Sequence, residues 1–261
     1  MACLFALEDQ NQIMGVFPAD HLIMDLQEFE IAVLNAYNIA KEGENLVTIG
    51  IKPHYPSTAY GYIQYDEVSD KKAMNAFPVK TFAEKPHKKL AERFLSSEEF
   101  LWNGGMFFWK VGTFMKSMNR SMPKLMSILL KIAPRLKNRE NIKNLWNKIE
   151  PESIDYGLLE KSENIYVVTA NFKWNDIGSW RSLYDVLNSD ENGNIIRGDS
   201  IVMEGSENLI DSEKKFTAVI GLDNIVVINT EDATLIVDKN KVEKVKDVVE
   251  FLKKSNKKDL I

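Results

Sequence analysis

Cys3 is the only cysteine in this chain of 261 residues, so no disulfide can form within it and no cysteine cluster can bind zinc. The three histidines, His21, His54 and His87, lie too far apart for a short metal motif. No apolar run approaches the ~20 residues that cross a bilayer, so no membrane partner is expected. No basic stretch followed by a long apolar one opens the chain, and a cytoplasmic soluble protein is the expectation. Positive charge is not in excess. With 33 basic and 38 acidic residues the net charge is −5, which argues against a nucleic-acid partner. Glycine pairs are scarce as well: Gly104-Gly105 is the only one.

What remains is a globular chain, 44% hydrophobic, long enough for one large domain or two smaller ones. Asp25, followed three residues later by Glu28, reads as a helix start. Leu26, Phe29, Val33, Ala36, Tyr37 and Ala40 then recur at helical spacing, and Gly43 ends the helix. Residues 46–51 form a continuous apolar strand of the kind found inside a sheet. Strands are expected over 12–17, 60–65, 79–84, 106–111 and 165–169, with helices over 88–95 and 154–160. Residues 121–149 read as helical with breaks near Pro134 and Asn138, and Met122, Met126, Leu129, Leu130 and Ile132 face inward. A further helix is expected from Trp180 to Leu187. The polar, glycine-bearing loop 188–194 marks a domain boundary, giving domains 1–188 and 189–261. Beyond it six short strand-like runs alternate with turns, the pattern of a small β-solenoid-like domain. An amphipathic helix over 241–253 closes the chain, with Val242, Val245, Val248, Val249 and Leu252 on or near one face.

Two acids stand out. In Phe172-Lys173-Trp174-Asn175-Asp176-Ile177-Gly178-Ser179-Trp180, three large aromatics surround one carboxylate at a strand end. Such a platform suits a metal-binding or phosphate-facing acid, and it equally suits Asp176 or Ser179 as a helix cap. The second acid, Asp20, follows the apolar run 12–17, where open α/β sheets bind ligands beyond the carboxyl ends of their strands. Two acids at two strand ends are what a Mg²⁺–nucleotide site requires, with phosphates and waters filling the other positions.

Five phrases occur in order: Pro18-Ala19-Asp20-His21, Tyr60-Gly61-Tyr62-Ile63, Phe82-Ala83-Glu84-Lys85-Pro86, Trp102-Asn103-Gly104-Gly105-Met106-Phe107 and Trp174-Asn175-Asp176-Ile177-Gly178-Ser179-Trp180. Together they resemble the mannose-1-phosphate guanylyltransferases, also called GDP-mannose pyrophosphorylases, from about residue 5 to about residue 255. The resemblance implies an α/β fold: a doubly wound nucleotide-diphospho-sugar transferase domain, here incomplete, followed by the small β-solenoid-like domain with its C-terminal helix. Members of that family open with a glycine-rich phosphate loop, Gly-Gly-x-Gly-x-Arg-x-x-Pro, which this sequence does not contain. Roughly 100 residues, about one nucleotide-binding half, are expected to be missing. The chain alone is therefore expected not to turn over.

The reaction implied joins mannose 1-phosphate to GTP, giving GDP-mannose and pyrophosphate. A phosphate monoester is already ionised near neutral pH, so the nucleophile needs no base, and catalysis reduces to positioning and neutralising charge. By resemblance Asp20 and Asp176 hold Mg²⁺, and Lys85 contacts the sugar phosphate. Glu84 accepts hydrogen bonds from sugar hydroxyls, Asn103 binds the sugar with both donor and acceptor, and Gly61 lets the backbone approach it. The plainer readings are a solvated Lys85, a Glu84 salt bridge to Lys88 or Arg93, a turn at Asn103 and a strand bulge at Gly61. Trp102, Trp174 and Trp180 read as packing rather than base stacking. The partners implied are GTP and mannose 1-phosphate, with a homodimer an open option. The reading of a different class is an inactive remnant or sugar-phosphate-binding assembly subunit.

Overall fold

Strand β3, Leu46–Ile51, is buried along its whole length, and it organises the first half of the fold. Its alternate side chains serve two cores. Val47, Ile49 and Ile51 pack in one cluster with Ala32, Ala36, Ile39 and Ala40 of helix α2, Leu26–Glu42, which follows a one-turn helix α1 at Ala2–Phe5. Leu46 faces the other way, into a cluster with Met118, Met122, Met126, Leu158 and Leu159. Strand β7, Ile165–Ala170, divides in the same manner: Val168 and Ala170 join the first cluster, Ile165 and Val167 the second. A sheet covered on both faces explains the uninterrupted apolar sequence.

The computed structural model describes residues 1–178, 187–255, 257 and 260. The expected helix from Trp180 to Leu187, and the readings of Ser179 and Trp180, fall almost wholly outside the described residues. The six-stranded sheet comprises β1 (Ile13–Val16), β3, β4 (Tyr62–Tyr65), β5 (Ala76–Ala83), β6 (Phe100–Lys110) and β7, in the order β1-β6-β3-β7-β5-β4. β3 and β7 are parallel, whereas β6 runs antiparallel to β1, β3 and β4. Two short strands, β2 (Leu22–Ile23) and β8 (Trp174–Asn175), pair separately. Asp25 caps α2 by accepting from the backbone N–H of Glu28. Gly43 closes that helix with extended backbone rather than a left-handed turn.

Several local expectations are revised. Pro134 lies inside an unbroken helix, Pro123–Lys137. The proline removes the bond to the carbonyl of Leu130, and Leu130 is exposed, so water can take that acceptor. Met122, Met126 and Ile132 are buried as expected, whereas Leu130 is not. Trp102 and Trp174 are buried and pack edge-on against Tyr60, so both are packing residues.

The chain divides into two units, Met1–Ala19 with Ile23–Trp174, and Asp20–Leu22 with Asn175–Ile261. In the second unit the six expected runs merge into four strands: β9 (Ile195–Met203), β10 (Leu209–Ile220), β11 (Ile225–Asn229) and β12 (Thr234–Asp238). β9, β10 and β11 are parallel coils that align Ile195, Leu209 and Val226. A ladder of buried asparagines ties the coils. Asn208 N–H donates to Asn194 Oδ1 at 3.1 Å, and Ile225 N–H donates to Asn208 Oδ1 at 3.0 Å. Their amide N–H groups reach the carbonyls of Gly205 and Leu222. The closing helix is split, with a 3₁₀ segment at Lys239–Lys244 and an α-helix at Val245–Lys254, and Val248 is exposed. Among the described residues no helix is long and apolar enough to cross a membrane.

Candidate functional site

Two groups of side chains carry the chemistry. The first stands at the start of β4, the end of β5 and an irregularity within β6. Glu84 directly follows β5, and its side chain is only 10% exposed. Its carboxylate lies against Gly61: a Cβ added there would sit 2.4 Å from Glu84 Oε2. Glycine is thus required at this position to admit a carboxylate. Burial, with Asp155 adding to it, pushes the Glu84 carboxyl above its ordinary value, and Lys85 pulls the other way. The ion-pair partner of Glu84 is Lys85, at 3.6 Å, not Lys88 or Arg93.

Lys85 itself is 61% exposed and holds a left-handed backbone, φ 45°. That conformation is uncommon for a side chain larger than glycine's and is a form of strain found at functional sites. It turns the chain between Glu84 and Pro86 while the Lys85 ammonium stays within 3.6 Å of the Glu84 carboxylate.

Asn103 lies in β6 at an irregularity. Thr48 of β3 is opposite Phe107, and Gly50 is opposite Asn103, so β6 carries two extra residues between these pairs. Gly104 and Gly105 absorb them, Gly105 at φ 67°. A Cβ on Gly104 would meet the Ile49 carbonyl at 2.8 Å. The irregularity points the Gly105 N–H back at Asn103 Oδ1, at 3.3 Å. Buried Thr48 donates to the same oxygen at 2.8 Å, and Asn103 Nδ2 donates to Asp155 at 3.1 Å. The acceptor capacity of Asn103 is therefore spent inside the protein, which leaves one Nδ2 hydrogen for a ligand. The backbone N–H of Asn103 donates to the Gly61 carbonyl at 2.8 Å, joining Asn103 to the glycine under Glu84.

The second group is acidic. The pair β2 and β8 forms a two-stranded ribbon, with Asp20 and His21 leading into one strand and Asp176 following the other. Both acids act on the His21 imidazole. Burial holds that imidazole below its ordinary value, while Asp20 and Asp176 pull it upward. Asp176 also closes a tight turn: Gly178 N–H donates to its Oδ1 at 3.1 Å, and Ile177 N–H to Asn175 Oδ1 at 2.7 Å. Ile177 between them has φ 48°, a strained value for a β-branched residue. Among the described residues no set of three or more His, Cys, Asp or Glu side chains is arranged to hold a metal. Two carboxylates are nonetheless the protein share that Mg²⁺ takes when phosphates supply the rest.

A family model described as nucleotidyl transferase matches residues 2–193. The chain belongs to the nucleotidyl transferase family. A second model, described as the MannoseP isomerase/GMP-like beta-helix domain, matches residues 198–252, the coils of the second unit. This nucleotidyl transferase is 34% identical over 256 residues to a mannose-1-phosphate guanylyltransferase of Escherichia coli, across 96% of this chain and 55% of that one. A Klebsiella pneumoniae protein of the same description is 34% identical over 253 residues, across 95% and 54%. The chain spans about half the length of these curated relatives. A solved Thermus thermophilus structure, described as mannose-1-phosphate geranyltransferase, superposes with a TM-score of 0.83 at 27% identity, across 97% of this chain and 73% of that one.

Three polar side chains around the first group escaped the sequence reading. Thr48, Asp155 and Glu160 meet Asn103 or Glu84, and Glu160 accepts from the Glu84 backbone N–H at 3.4 Å. Asp155 opens the short helix Ile154–Gly157, where the only local signal is the Ser153 cap.

Proposed function

We propose that this nucleotidyl transferase chain supplies the sugar-phosphate-binding and metal-binding part of an enzyme that joins mannose 1-phosphate to GTP, giving GDP-mannose and pyrophosphate. The observation that carries the reading is Glu84, buried against the Gly61 backbone beside Asn103, with the Lys85 ammonium next to it in the open. A buried carboxylate and a lone amide donor suit sugar hydroxyls, and an exposed lysine suits the phosphate. The description of the relatives as mannose-1-phosphate guanylyltransferases supports the same substrates.

In this reading the phosphate monoester oxygen of mannose 1-phosphate attacks the α-phosphorus of GTP, and pyrophosphate leaves. The attacking oxygen is already ionised, so no residue is required as a base. Glu84 and Asn103 hold the sugar so that its phosphate is presented in one orientation, and Lys85 offsets part of its charge. Asp20 and Asp176 would hold a divalent cation, Mg²⁺ being the one their number suits. Such an ion, when bound, neutralises charge on the phosphates.

The test is calorimetric titration of the chain with mannose 1-phosphate and with glucose 1-phosphate, each with and without Mg²⁺. Mannose 1-phosphate should bind more tightly, and Asp20→Ala or Asp176→Ala should abolish the Mg²⁺-dependent part alone. Failure of mannose 1-phosphate to bind, or a Mg²⁺ response unchanged in both variants, would overturn the proposal.

A further inference from the structure

We propose that Asp155 is a positioning residue that fixes the orientation of the Asn103 amide and so leaves Asn103 to recognise its ligand as a donor only. This deepens, and rests on, the sugar-phosphate reading above. The amide of an asparagine can sit in either of two orientations that differ by exchange of its oxygen and nitrogen. Two partners here admit only one of them. The backbone N–H of Gly105 can only donate, and it lies 3.3 Å from Asn103 Oδ1. The Asp155 carboxylate, when ionised, can only accept, and it lies 3.1 Å from Asn103 Nδ2. Rotating the amide would set an N–H against an N–H and an oxygen against a carboxylate. Thr48, a hydroxyl able to play either part and wholly buried, is thereby committed to donate, at 2.8 Å.

The arrangement makes a prediction about the ligand. Both lone pairs of Asn103 Oδ1 are engaged, by Gly105 and Thr48, and one Nδ2 hydrogen is engaged by Asp155. The single hydrogen that remains must meet an acceptor, which in the sugar reading is an oxygen lone pair of the sugar rather than of its phosphate. The charged groups that face Asp155 are Glu84, Lys85 and Glu160. None of them replaces it, since the other two acids have been drawn to Lys85 and to the Glu84 backbone N–H.

The experiment compares Asp155→Ala with Asp155→Asn, which keeps an acceptor oxygen but loses the charge. Two readouts are taken on the ¹⁵N-labelled chain: the Asn103 side-chain amide signal, assigned by its loss in Asn103→Ala, and affinity for mannose 1-phosphate beside inorganic phosphate. Asp155→Ala should speed hydrogen exchange at the Asn103 amide and weaken mannose 1-phosphate by about tenfold, the share of one such hydrogen bond, with inorganic phosphate unaffected. Asp155→Asn should bring both readouts back to within about threefold of the wild type. Unchanged affinity in Asp155→Ala would overturn the inference. So would Asp155→Asn as damaging as alanine, which would assign the role to charge, or equal losses for sugar phosphate and inorganic phosphate, which would assign it to folding. If the wild type binds phosphate but does not prefer mannose 1-phosphate, the parent reading fails, and the amide signal alone then decides the orientation of Asn103.

Discussion

Replacing Gly61 by alanine tests the placement of the Glu84 carboxylate directly. The added Cβ would lie 2.4 Å from Glu84 Oε2, about 1 Å inside ordinary contact. Its other neighbours, Asn103 Cβ at 3.4 Å and the Phe82 ring at 3.5 Å, tolerate it. The backbone cannot retreat, because the Gly61 carbonyl accepts from Asn103 and the next residue, Tyr62, is buried and paired with Trp102. Glu84 must therefore move. Its carboxylate ends a rotatable chain, so the folding cost belongs at the low end for overpacking, about 1 kcal/mol. A sugar-binding group displaced by about 1 Å loses much more in function, on the order of tenfold or beyond in affinity. Urea unfolding and titration with mannose 1-phosphate measure the two separately. A second variant, Gly61→Ala with Glu84→Asp, withdraws the carboxylate by one methylene; stability should return while affinity does not. Unchanged affinity in Gly61→Ala, at a stability showing that the alanine is accommodated, would refute the placement of Glu84 against the sugar.

Glu84→Ala and Lys85→Ala should differ in kind. Loss of the exposed lysine weakens all sugar phosphates in a salt-dependent manner, and loss of the buried glutamate alters the choice among sugars; identical profiles in a titration series would count against this division. Asn208→Ala removes the partners of the half-buried Ile225 N–H and of the Leu222 carbonyl, and should cost about 1 kcal/mol or more in urea unfolding; a loss near zero would refute the ladder's role. Stability should also respond to pH through Asp155, whose carboxyl burial pushes up. A raised folded value means that its contribution is complete below the ordinary carboxylate range and is lost as pH rises through the folded value. Asp155→Asn should therefore gain stability relative to wild type as pH rises from the carboxylate range toward neutrality, and a difference that shrinks with rising pH would contradict the sign.

How much of this was legible in the sequence depended on how the residues are spaced. Glu84 and Lys85 are consecutive at a strand end, and Asp20 and Asp176 each stand at a strand end, so linear reading singled out all four. Asn103 was marked by the glycines that let β6 bulge. Asp155 and Thr48 left no mark, because they meet Asn103 across 52 and 55 positions and such contacts exist only once the sheet is formed. The acceptor side of Asn103 was misjudged for the same reason. Local punctuation was less dependable. Pro134 was read as a break, although an exposed face lets the helix pass through it. Residues 211–215 were read as a gap between strands, although β10 crosses them with a shift in register between Ser212 and Thr217.

The proposed role of this chain is to hold the mannosyl-phosphate half of a guanylyl-transfer reaction. GDP-mannose contains that same half, so the most direct measurement is competition: displacement of bound mannose 1-phosphate by GDP-mannose in the presence of Mg²⁺, for the wild type and Glu84→Ala. Full mutual displacement is expected in the wild type, and weakened binding of both ligands in the variant. Binding of GDP-mannose that leaves mannose 1-phosphate in place, or binding of both that is indifferent to Glu84, would contradict it.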